Sequence, residues 1–359
     1  MIPHGHLITV EALDRYPERI DVRSPSEYAE DHLPGALSHP VLSDAERASV
    51  GTLHAREGAF VAKRMGAAIV SRNVAQLLES AFADRPREWS PLVYCWRGGK
   101  RSGALTHVLN EIGWHAVQLQ GGYRAFRRHV RTELQVLPAR LDLRVVCGLT
   151  GSGKSRFLWA LASEGAQVLD LEQLAAHRGS LLGDLPDAPQ PSQKAFETLL
   201  FEAMRCFDTS RPVYVESEST RIGGLQVPSE LLAAMREARC VRIELPLSLR
   251  VELLREEYAH FIDDAEHLAQ RLSPLTPLLG QETISRWITA AQAGDWDALV
   301  RALLAEHYDL TYARSITRNF PRSDDATIVA PTRIDADHYR ELARALIADE
   351  QSSEHALCV

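Results

Sequence analysis

The run GLTGSGKS, residues 148–155, constrains this chain more than any other feature of its 359 residues. It matches the phosphate-binding pattern G-x-x-x-x-G-K-[ST] in full. It lies between an apolar segment of strand character, Leu143–Cys147, and a segment of helical character, residues 156–163. This strand–loop–helix order predicts a parallel α/β domain with a phosphate-binding loop (P-loop) at the carboxyl end of a buried strand.

The residue types of the P-loop explain its chemistry. Glycines let backbone N–H groups approach phosphate oxygens, and the following helix directs its positive end at the same point. Lys154 brings a positive charge to the β- or terminal phosphate, and the Ser155 hydroxyl is suited to ligate Mg²⁺. The predicted phosphate or diphosphate site comprises Gly148, Thr150, Gly151, Ser152, Gly153, Lys154 and Ser155.

The sequence leaves open what the P-loop holds beyond phosphate. Guanine specificity usually accompanies an Asn-Lys-x-Asp run, and this chain has none. Its absence favours a non-nucleotide ligand only weakly, because adenine pockets rarely show in a sequence. Asp170, Glu216 and Glu218 follow later apolar segments. Each could hold Mg²⁺, orient a nucleophile, cap a helix or lie at the surface as an ordinary acid.

A second reactive loop, CWRGGKRS at residues 95–102, follows the buried apolar run 91–95. The next helix directs its positive end at this cysteine loop, and Arg97, Lys100 and Arg101 lie close by in the chain. Such surroundings lower a cysteine pKa from about 8.5 into the range of about 3.5–7.5. We therefore predict that Cys95 is a nucleophile, with Arg97 and Arg101 as catalytic partners that hold an anion beside the sulfur.

The remaining composition restricts the class of protein. The five cysteines are scattered and form no CxxC pair, which argues against a disulfide framework and a zinc site and fits a reducing cytoplasm. The N-terminal segment has no apolar signal region, and no run of about 18 uncharged apolar residues occurs. We expect a cytoplasmic protein without a membrane span and without a bound organic cofactor.

The chain is predicted to be α/β, with two parallel-sheet domains and a helical end. The first domain covers residues 1–135 and the second, with the P-loop, covers 136–250. Residues 251–359 are expected to be mainly helical and to pack on the second domain. Since the net charge is −8, RNA binding requires a local patch. The candidate cations for that patch are Lys100, Arg124, Arg127, Arg128 and Arg131.

Several runs around these two loops resemble a known family. The runs before the cysteine loop are similar to the rhodanese signature, and others follow the P-loop. They are DVRSPSEY (21–28), HLPGA (32–36), PVLSDAER (40–47), GGYR (121–124), DLE (170–172), HRGS (177–180) and ESES (216–219). A rhodanese-like domain fused to a P-loop domain with these runs resembles the tRNA 2-selenouridine synthase family, over roughly residues 5–260.

The resemblance implies a reaction and its participants. The substrate is tRNA with 2-thiouridine at the wobble position, whose sulfur is replaced by selenium from selenophosphate. Geranyl diphosphate first places a geranyl group on the sulfur. By this resemblance Cys95 is the thiolate of the selenation step, and Lys154 and Ser155 hold the geranyl donor's diphosphate. The cysteine-loop cations bind selenophosphate or tRNA, the three later carboxylates position Mg²⁺, and a selenophosphate-supplying enzyme is a partner.

Two other interpretations stay open. Cys95 and Arg101 also fit Cys-x5-Arg, the spacing used by cysteine phosphatases. The chain could therefore be a small-molecule sulfurtransferase or cysteine phosphatase with a P-loop nucleotide-binding domain. It could also be a non-catalytic binding protein on a degenerate rhodanese fold, although the presence of Cys95 argues against this.

Overall fold

The computed structural model divides the chain into two compact units. The residues that it describes are 7–180, 182–185, 188–262 and 264–357. Unit 1 comprises Met1–Glu133 and Pro191–Glu202, and unit 2 comprises Leu134–Gln190 and Ala203–Val359. Residues 191–202 thus belong to unit 1 although they follow the P-loop in the chain. The predicted domain boundaries near residues 135 and 250 stay predictions.

Unit 1 is built on a five-stranded parallel sheet with the strand order β1-β5-β4-β2-β3. Its strands are β1 Leu7–Ile8, β2 Arg19–Asp21, β3 Ala36–Ser38, β4 Leu92–Tyr94 and β5 Val117–Leu119. Tyr94 at the end of β4 pairs in register with Asp21 at the end of β2. The cysteine loop therefore begins at the carboxyl edge of the sheet, where ligands of parallel sheets usually bind.

Helices cover both faces of this sheet, as parallel strands require. They are α1 Pro25–Glu30, α2 Asp44–Arg56, α3 Ala59–Glu79, α4 Lys100–Ile112 and α5 Gly122–Val136, whose last turn lies in unit 2. A capping box between Ser24 and Glu27 starts α1, and Gly113 in a left-handed conformation ends α4. The core gathers buried apolar side chains such as Ile20, Phe82, Val93 and Leu105.

Unit 2 also has a five-stranded parallel sheet, with the order β12-β11-β6-β8-β7. Its elements are β6 Leu143–Cys147, β7 Gln167–Leu169, β8 Val213–Glu216, the β9 Arg221–Ile222 and β10 Leu225–Gln226 hairpin, β11 Arg239–Ile243 and β12 Thr327–Val329. The P-loop follows the central strand β6. The edge strand β12 lies in the predominantly helical part of the chain and pairs with β11.

Twelve further helices follow in the part of the chain that the structure describes, and all but one of them lie entirely in unit 2. They are α6 Lys154–Ser163, α7 Leu171–Ala175, α8 Gln193–Arg205 (mostly in unit 1), α9 Ser229–Glu237, α10 Leu247–Glu257, α11 Ala259–Ile262, α12 Ala265–Leu272, α13 Thr276–Leu279, α14 Gln281–Gln292, α15 Trp296–Leu303, α16 Asp309–Asn319 and α17 Ala336–Leu357. A π-helical turn, Leu304–Tyr308, joins α15 to α16. None of the helices within the described ranges has the length and apolar character needed to cross a bilayer.

The helical part of unit 2 has its own core. Phe261, Leu268, Ile284, Trp287 and Leu299 are buried together where α11, α12, α14 and α15 meet. By contrast, α17 returns to the sheet, since its Tyr339 and Ala343 are buried in the core below α6. The fold class expected from the sequence, two parallel α/β units with a mainly helical C-terminal region, is confirmed.

Candidate functional site

Cys95 lies directly after β4, in the loop that ends at the N-terminus of α4, and its side chain is buried. The Ser102 hydroxyl donates a hydrogen bond to Cys95 Sγ at 3.2 Å. Gln118 Nε2 in turn donates to Ser102 Oγ at 2.8 Å. Because the amide occupies the serine oxygen as an acceptor, the serine proton is directed at the sulfur.

These contacts affect the acidity of the thiol. Burial acts to raise the pKa of Cys95, but several groups together lower it below its ordinary value. They are the Ser102 hydroxyl, the backbone N–H groups of Ser102 and Gly99, and the charge of Arg101. Hydrogen bonds to the sulfur favour the charged form, as does the N-terminal end of a helix. The thiolate fraction of Cys95 at neutral pH is therefore increased.

A close backbone approach fixes the shape of the cysteine loop. Gly122 has a φ of 57°, and a Cβ there would lie 2.3 Å from the Cys95 carbonyl oxygen. With no side chain in the way, the first amides of α5 reach the loop. Tyr123 N–H donates to the Cys95 carbonyl at 2.8 Å, and Arg124 N–H donates to that of Trp96 at 2.9 Å. The helix thus holds the backbone at Cys95 and at the residue directly after it.

The three cations of the cysteine loop differ in their surroundings. Arg97 and Lys100 are exposed. Lys100 lies near Lys63 of α3, and the charge of Lys63 lowers the pKa of Lys100. Arg101 instead pairs with Glu27 of α1, at 2.7 Å from Nη1 to Oε2. Arg101 therefore acts on Cys95 through its charge while its guanidinium is held by a carboxylate.

The predicted RNA-binding cations of α5 also separate into two groups. Arg124, Arg128 and Arg131 are exposed. Arg127 is not: its side chain is only 11% exposed and forms an ion pair with Glu197. The same guanidinium donates to the Lys194 carbonyl and to Thr198 Oγ1, both at 3.1 Å. Arg127 therefore joins α5 to the α8 segment within unit 1.

In unit 2, the P-loop is held in place by a buried arginine that the sequence did not single out. Arg250 of α10 donates twice to the Thr150 carbonyl, at 3.0 Å from Nε and 2.7 Å from Nη2. Its charge is paired with Asp309 at 2.5 Å. Leu254, one turn later, packs on the loop, since a Cβ at Gly151 would lie 2.7 Å from Leu254 Cδ1.

Lys154 faces an acidic and aromatic cluster. Its Nζ lies 4.9 Å from the centre of the Tyr312 ring. Burial alone would lower the pKa of Lys154, but the oxygens of Tyr312, Glu172 and Glu218 raise it overall. Lys154 is therefore positively charged at neutral pH, as a ligand for phosphate must be.

Three carboxyl groups crowd the floor of this site. Glu172 Oε2 accepts from the Ser155 hydroxyl at 3.1 Å, and Glu216 Oε1 accepts from the Glu172 N–H at 2.6 Å. Burial and the charge of Glu172 raise the pKa of Glu218 to about 8, against the opposing charge of Lys154. Burial raises the pKa of Glu172 and of Glu216 as well. At neutral pH Glu218 therefore holds a proton that an ordinary carboxyl group would have lost.

The predicted acids of unit 2 thus occupy different positions. Asp170 caps α7, where Oδ1 accepts from the Gln173 N–H at 2.8 Å, and Oδ2 accepts from Trp159 Nε1 at 3.0 Å. Glu172, which lies in the run DLE but was not among the predicted acids, is the acid that contacts Ser155. Across the described residues, no group of three or more His, Cys, Asp or Glu side chains has a geometry that could hold a metal ion by itself.

Comparison with protein families agrees with this architecture. Residues 10–129 match the rhodanese-like domain, and residues 141–324 match the tRNA 2-selenouridine synthase AAA domain. The fold and the two loops define a class of protein in which a rhodanese-like domain with its cysteine is joined to a P-loop domain.

Curated relatives identify the family. A tRNA 2-selenouridine synthase of Nitrosomonas europaea is 33% identical over 318 residues, covering 84% of this chain and 81% of that protein. Another, of Shewanella loihica, is 32% identical and covers 84% and 88%. One of Aeromonas salmonicida is 37% identical and covers 67% and 64%. This chain belongs to the tRNA 2-selenouridine synthase family, a family of enzymes, as its sequence motifs predicted.

Proposed function

We propose that this protein replaces sulfur by selenium in 2-thiouridine at the wobble position of tRNA, through an S-geranylated intermediate. The observation that carries the proposal is a cysteine whose surroundings favour the thiolate, in a rhodanese-like unit of the same chain as a P-loop. The relatives named above are tRNA 2-selenouridine synthases, and the modification of tRNA with selenium rests on that name.

In the first step, the P-loop binds geranyl diphosphate. The sulfur of 2-thiouridine attacks the geranyl carbon bonded to oxygen, so a carbon–sulfur bond forms as the carbon–oxygen bond breaks. Diphosphate leaves with the electron pair of that bond, and the uracil ring releases its N3 proton to solvent. The raised pKa of Lys154 supports this role, because a permanent positive charge beside the leaving group stabilises the charge that develops there.

Mg²⁺ fits the same site as a partner of the diphosphate. The Ser155 hydroxyl and the Glu172 carboxylate are oxygen ligands of the kind that Mg²⁺ prefers. Glu216 Oε2 is buried, and among the described residues it has no hydrogen-bond partner. Bound Mg²⁺ would neutralise diphosphate charge. We therefore assign Ser155, Glu172 and Glu216 to the ion and leave Asp170 as a helix cap. Glu218 lines the same cavity without an assigned role.

In the second step, selenium from selenophosphate replaces the geranylated sulfur. Selenium attacks carbon 2 of the uracil ring, so a carbon–selenium bond forms, the carbon–sulfur bond breaks and geranylthiolate leaves. Water then cleaves the phosphorus–selenium bond and releases phosphate. We assign Cys95 to this step, with Arg97 and Lys100 as the cations that attract selenophosphate, and Arg101 as the charge that favours the thiolate. The selenophosphate comes from a separate enzyme.

The exposed cations of unit 1 form the proposed RNA surface. They are Arg124, Arg128, Arg131 and Lys100. Arg127 is left out because Glu197 occupies its guanidinium. Phosphate contacts release counterions, so tRNA affinity should fall steeply as salt concentration rises.

The alternative, a cysteine phosphatase, is less compatible with the geometry. In a Cys-x5-Arg site the arginine holds the substrate phosphate together with the loop amides. Here Arg101 Nη1 donates to Glu27 at 2.7 Å, and Glu27 also pairs with Arg47 at 3.3 Å. A substrate phosphate would have to displace this buried carboxylate.

The test is mass spectrometry of nucleosides from 2-thiouridine tRNA incubated with the protein, geranyl diphosphate, selenophosphate and Mg²⁺. Wild type should yield 2-selenouridine. Cys95→Ala should stop at S-geranyl-2-thiouridine, and Lys154→Ala should leave 2-thiouridine unchanged. Cys206→Ala removes an exposed free cysteine and should behave as wild type. Thiouridine that stays unchanged with the wild-type protein, or selenium incorporation by Cys95→Ala, would refute the proposal.

A further inference from the structure

An apolar cavity in the helical part of unit 2 is not explained by phosphate binding. It lies among α10, α11, α12, α15 and the π-helical turn, and the space inside it that the centre of a water molecule can occupy is about 70 Å³. Apolar side chains dominate its lining, among them Leu254, Phe261, Leu268, Leu299 and Leu303. All five side chains are buried. Apolar walls of this kind bind hydrocarbon rather than charged groups.

The apolar cavity adjoins the cavity of the P-loop. Thr150, Ser180, Leu254, Tyr258 and Tyr308 line both of them. Thr150 belongs to the P-loop itself, so the apolar wall begins where the phosphate site ends. A single ligand can therefore place its charged end on the P-loop and an uncharged chain in the apolar cavity.

The helix α10 couples the two cavities. Arg250 holds the Thr150 carbonyl from one turn of this helix. From the next turn, Leu254 packs against Gly151. The same helix thus positions the P-loop and supplies the first apolar contact beyond it. Tyr258 lies a further turn along, directly after the last residue of α10. Its hydroxyl oxygen is 3.4 Å from the Ser180 hydroxyl oxygen, so the polar end of the tyrosine points to Ser180.

We propose that this apolar cavity receives the hydrocarbon chain of a prenyl diphosphate whose diphosphate lies on the P-loop. The inference rests on the proposed function and deepens it, because it places the donor's chain in the helical C-terminal part of unit 2. The wall residues then select donors by chain length. Burial of each CH₂ group increases affinity by about fourfold.

The test compares the binding of three ligands by calorimetry in the presence of Mg²⁺: geranyl diphosphate, dimethylallyl diphosphate and inorganic diphosphate. Since geranyl has five more carbons than dimethylallyl, wild type should bind geranyl diphosphate on the order of 1,000-fold more tightly than dimethylallyl diphosphate. Leu303→Trp fills the cavity, so this preference should fall at least tenfold while the affinity for inorganic diphosphate stays unchanged. Leu278→Trp is the matched control, because Leu278 is 70% exposed and lies outside the cavity lining.

A second variant keeps the test decisive if Leu303→Trp does not fold. Leu268→Ala enlarges the cavity, and it should shift the preference from geranyl towards farnesyl diphosphate. A preference for geranyl diphosphate that survives in folded Leu303→Trp, or chain-length selection that Leu268→Ala leaves unchanged, would overturn the inference. In either case, continued S-geranylation of tRNA by the same variant leaves the proposed function standing. A wild-type protein that neither prefers geranyl diphosphate nor geranylates tRNA would overturn both.

Discussion

Replacement of Ser102 by alanine should raise the pKa of Cys95. The Ser102 hydroxyl donates to Cys95 Sγ at 3.2 Å, and both side chains are buried. A hydrogen bond to a charged group contributes about 1.5–3 kcal/mol, and one pH unit of pKa corresponds to about 1.36 kcal/mol. The pKa of Cys95 in Ser102→Ala should therefore be higher by about 1–2 pH units than in wild type.

The pKa is measured from the rate of Cys95 alkylation by iodoacetamide as a function of pH, with peptide mass spectrometry to separate Cys95 from the exposed Cys206. Thr106→Val is the matched control, because Thr106 lies one turn later on α4 and is equally buried. Its hydroxyl has no hydrogen-bond partner among the described residues. An identical pH midpoint in Ser102→Ala and wild type would show that the serine does not stabilise the thiolate.

Three further predictions concern stability. Arg250→Met should lower the free energy of unfolding by about 2–3 kcal/mol in urea titration, whereas Arg286→Met, at an exposed ion pair, should change it by less than about 1 kcal/mol. Gly122→Ala should destabilise more than Gly35→Ala, since both have positive φ but only Gly122 faces a backbone atom; equal melting temperatures would contradict this. The pKa of Glu218 is raised to about 8 in the folded protein, whereas in the unfolded chain it is 4.5. Between pH 4.5 and pH 8 the folded state therefore binds a proton that the unfolded state has lost, and the free energy of unfolding should fall as pH rises through this range. Glu218→Gln should flatten that fall, and an unchanged pH profile would argue against the raised pKa.

Local sequence patterns were sufficient for the elements that carry the two loops. The predicted strand Leu143–Cys147 is β6, and the predicted run 91–95 contains β4. Both are short apolar runs ended by glycine-containing loops, so neighbouring residues alone determine them. The predicted helical segment 156–163 lies within α6 for the same reason. The roles assigned to the site residues themselves stay predictions.

The contacts that the sequence did not reveal depend on residues distant in the chain. Glu172 reaches Ser155 across 17 positions, and Arg250 reaches Thr150 across 100. No local pattern marks an arginine whose partner is a backbone carbonyl so far away. The strand β12 was missed for a related reason. Its three residues lie in a helical region and become a strand only by pairing with β11.

The assignment of residues 191–202 to unit 1 has a consequence for how the chain can be divided. The backbone passes between the units after residues 133, 190 and 202. A single proteolytic cut at any one of these points leaves the units covalently linked. Truncation near residue 133 would also remove Glu197 and Thr198, the partners of Arg127, and expose a buried cation. A rhodanese-like unit produced alone therefore has to include the α8 segment, residues 191–202, joined to residues 1–133. A chimera that takes the P-loop unit from a relative would need matched junctions at all three of these points.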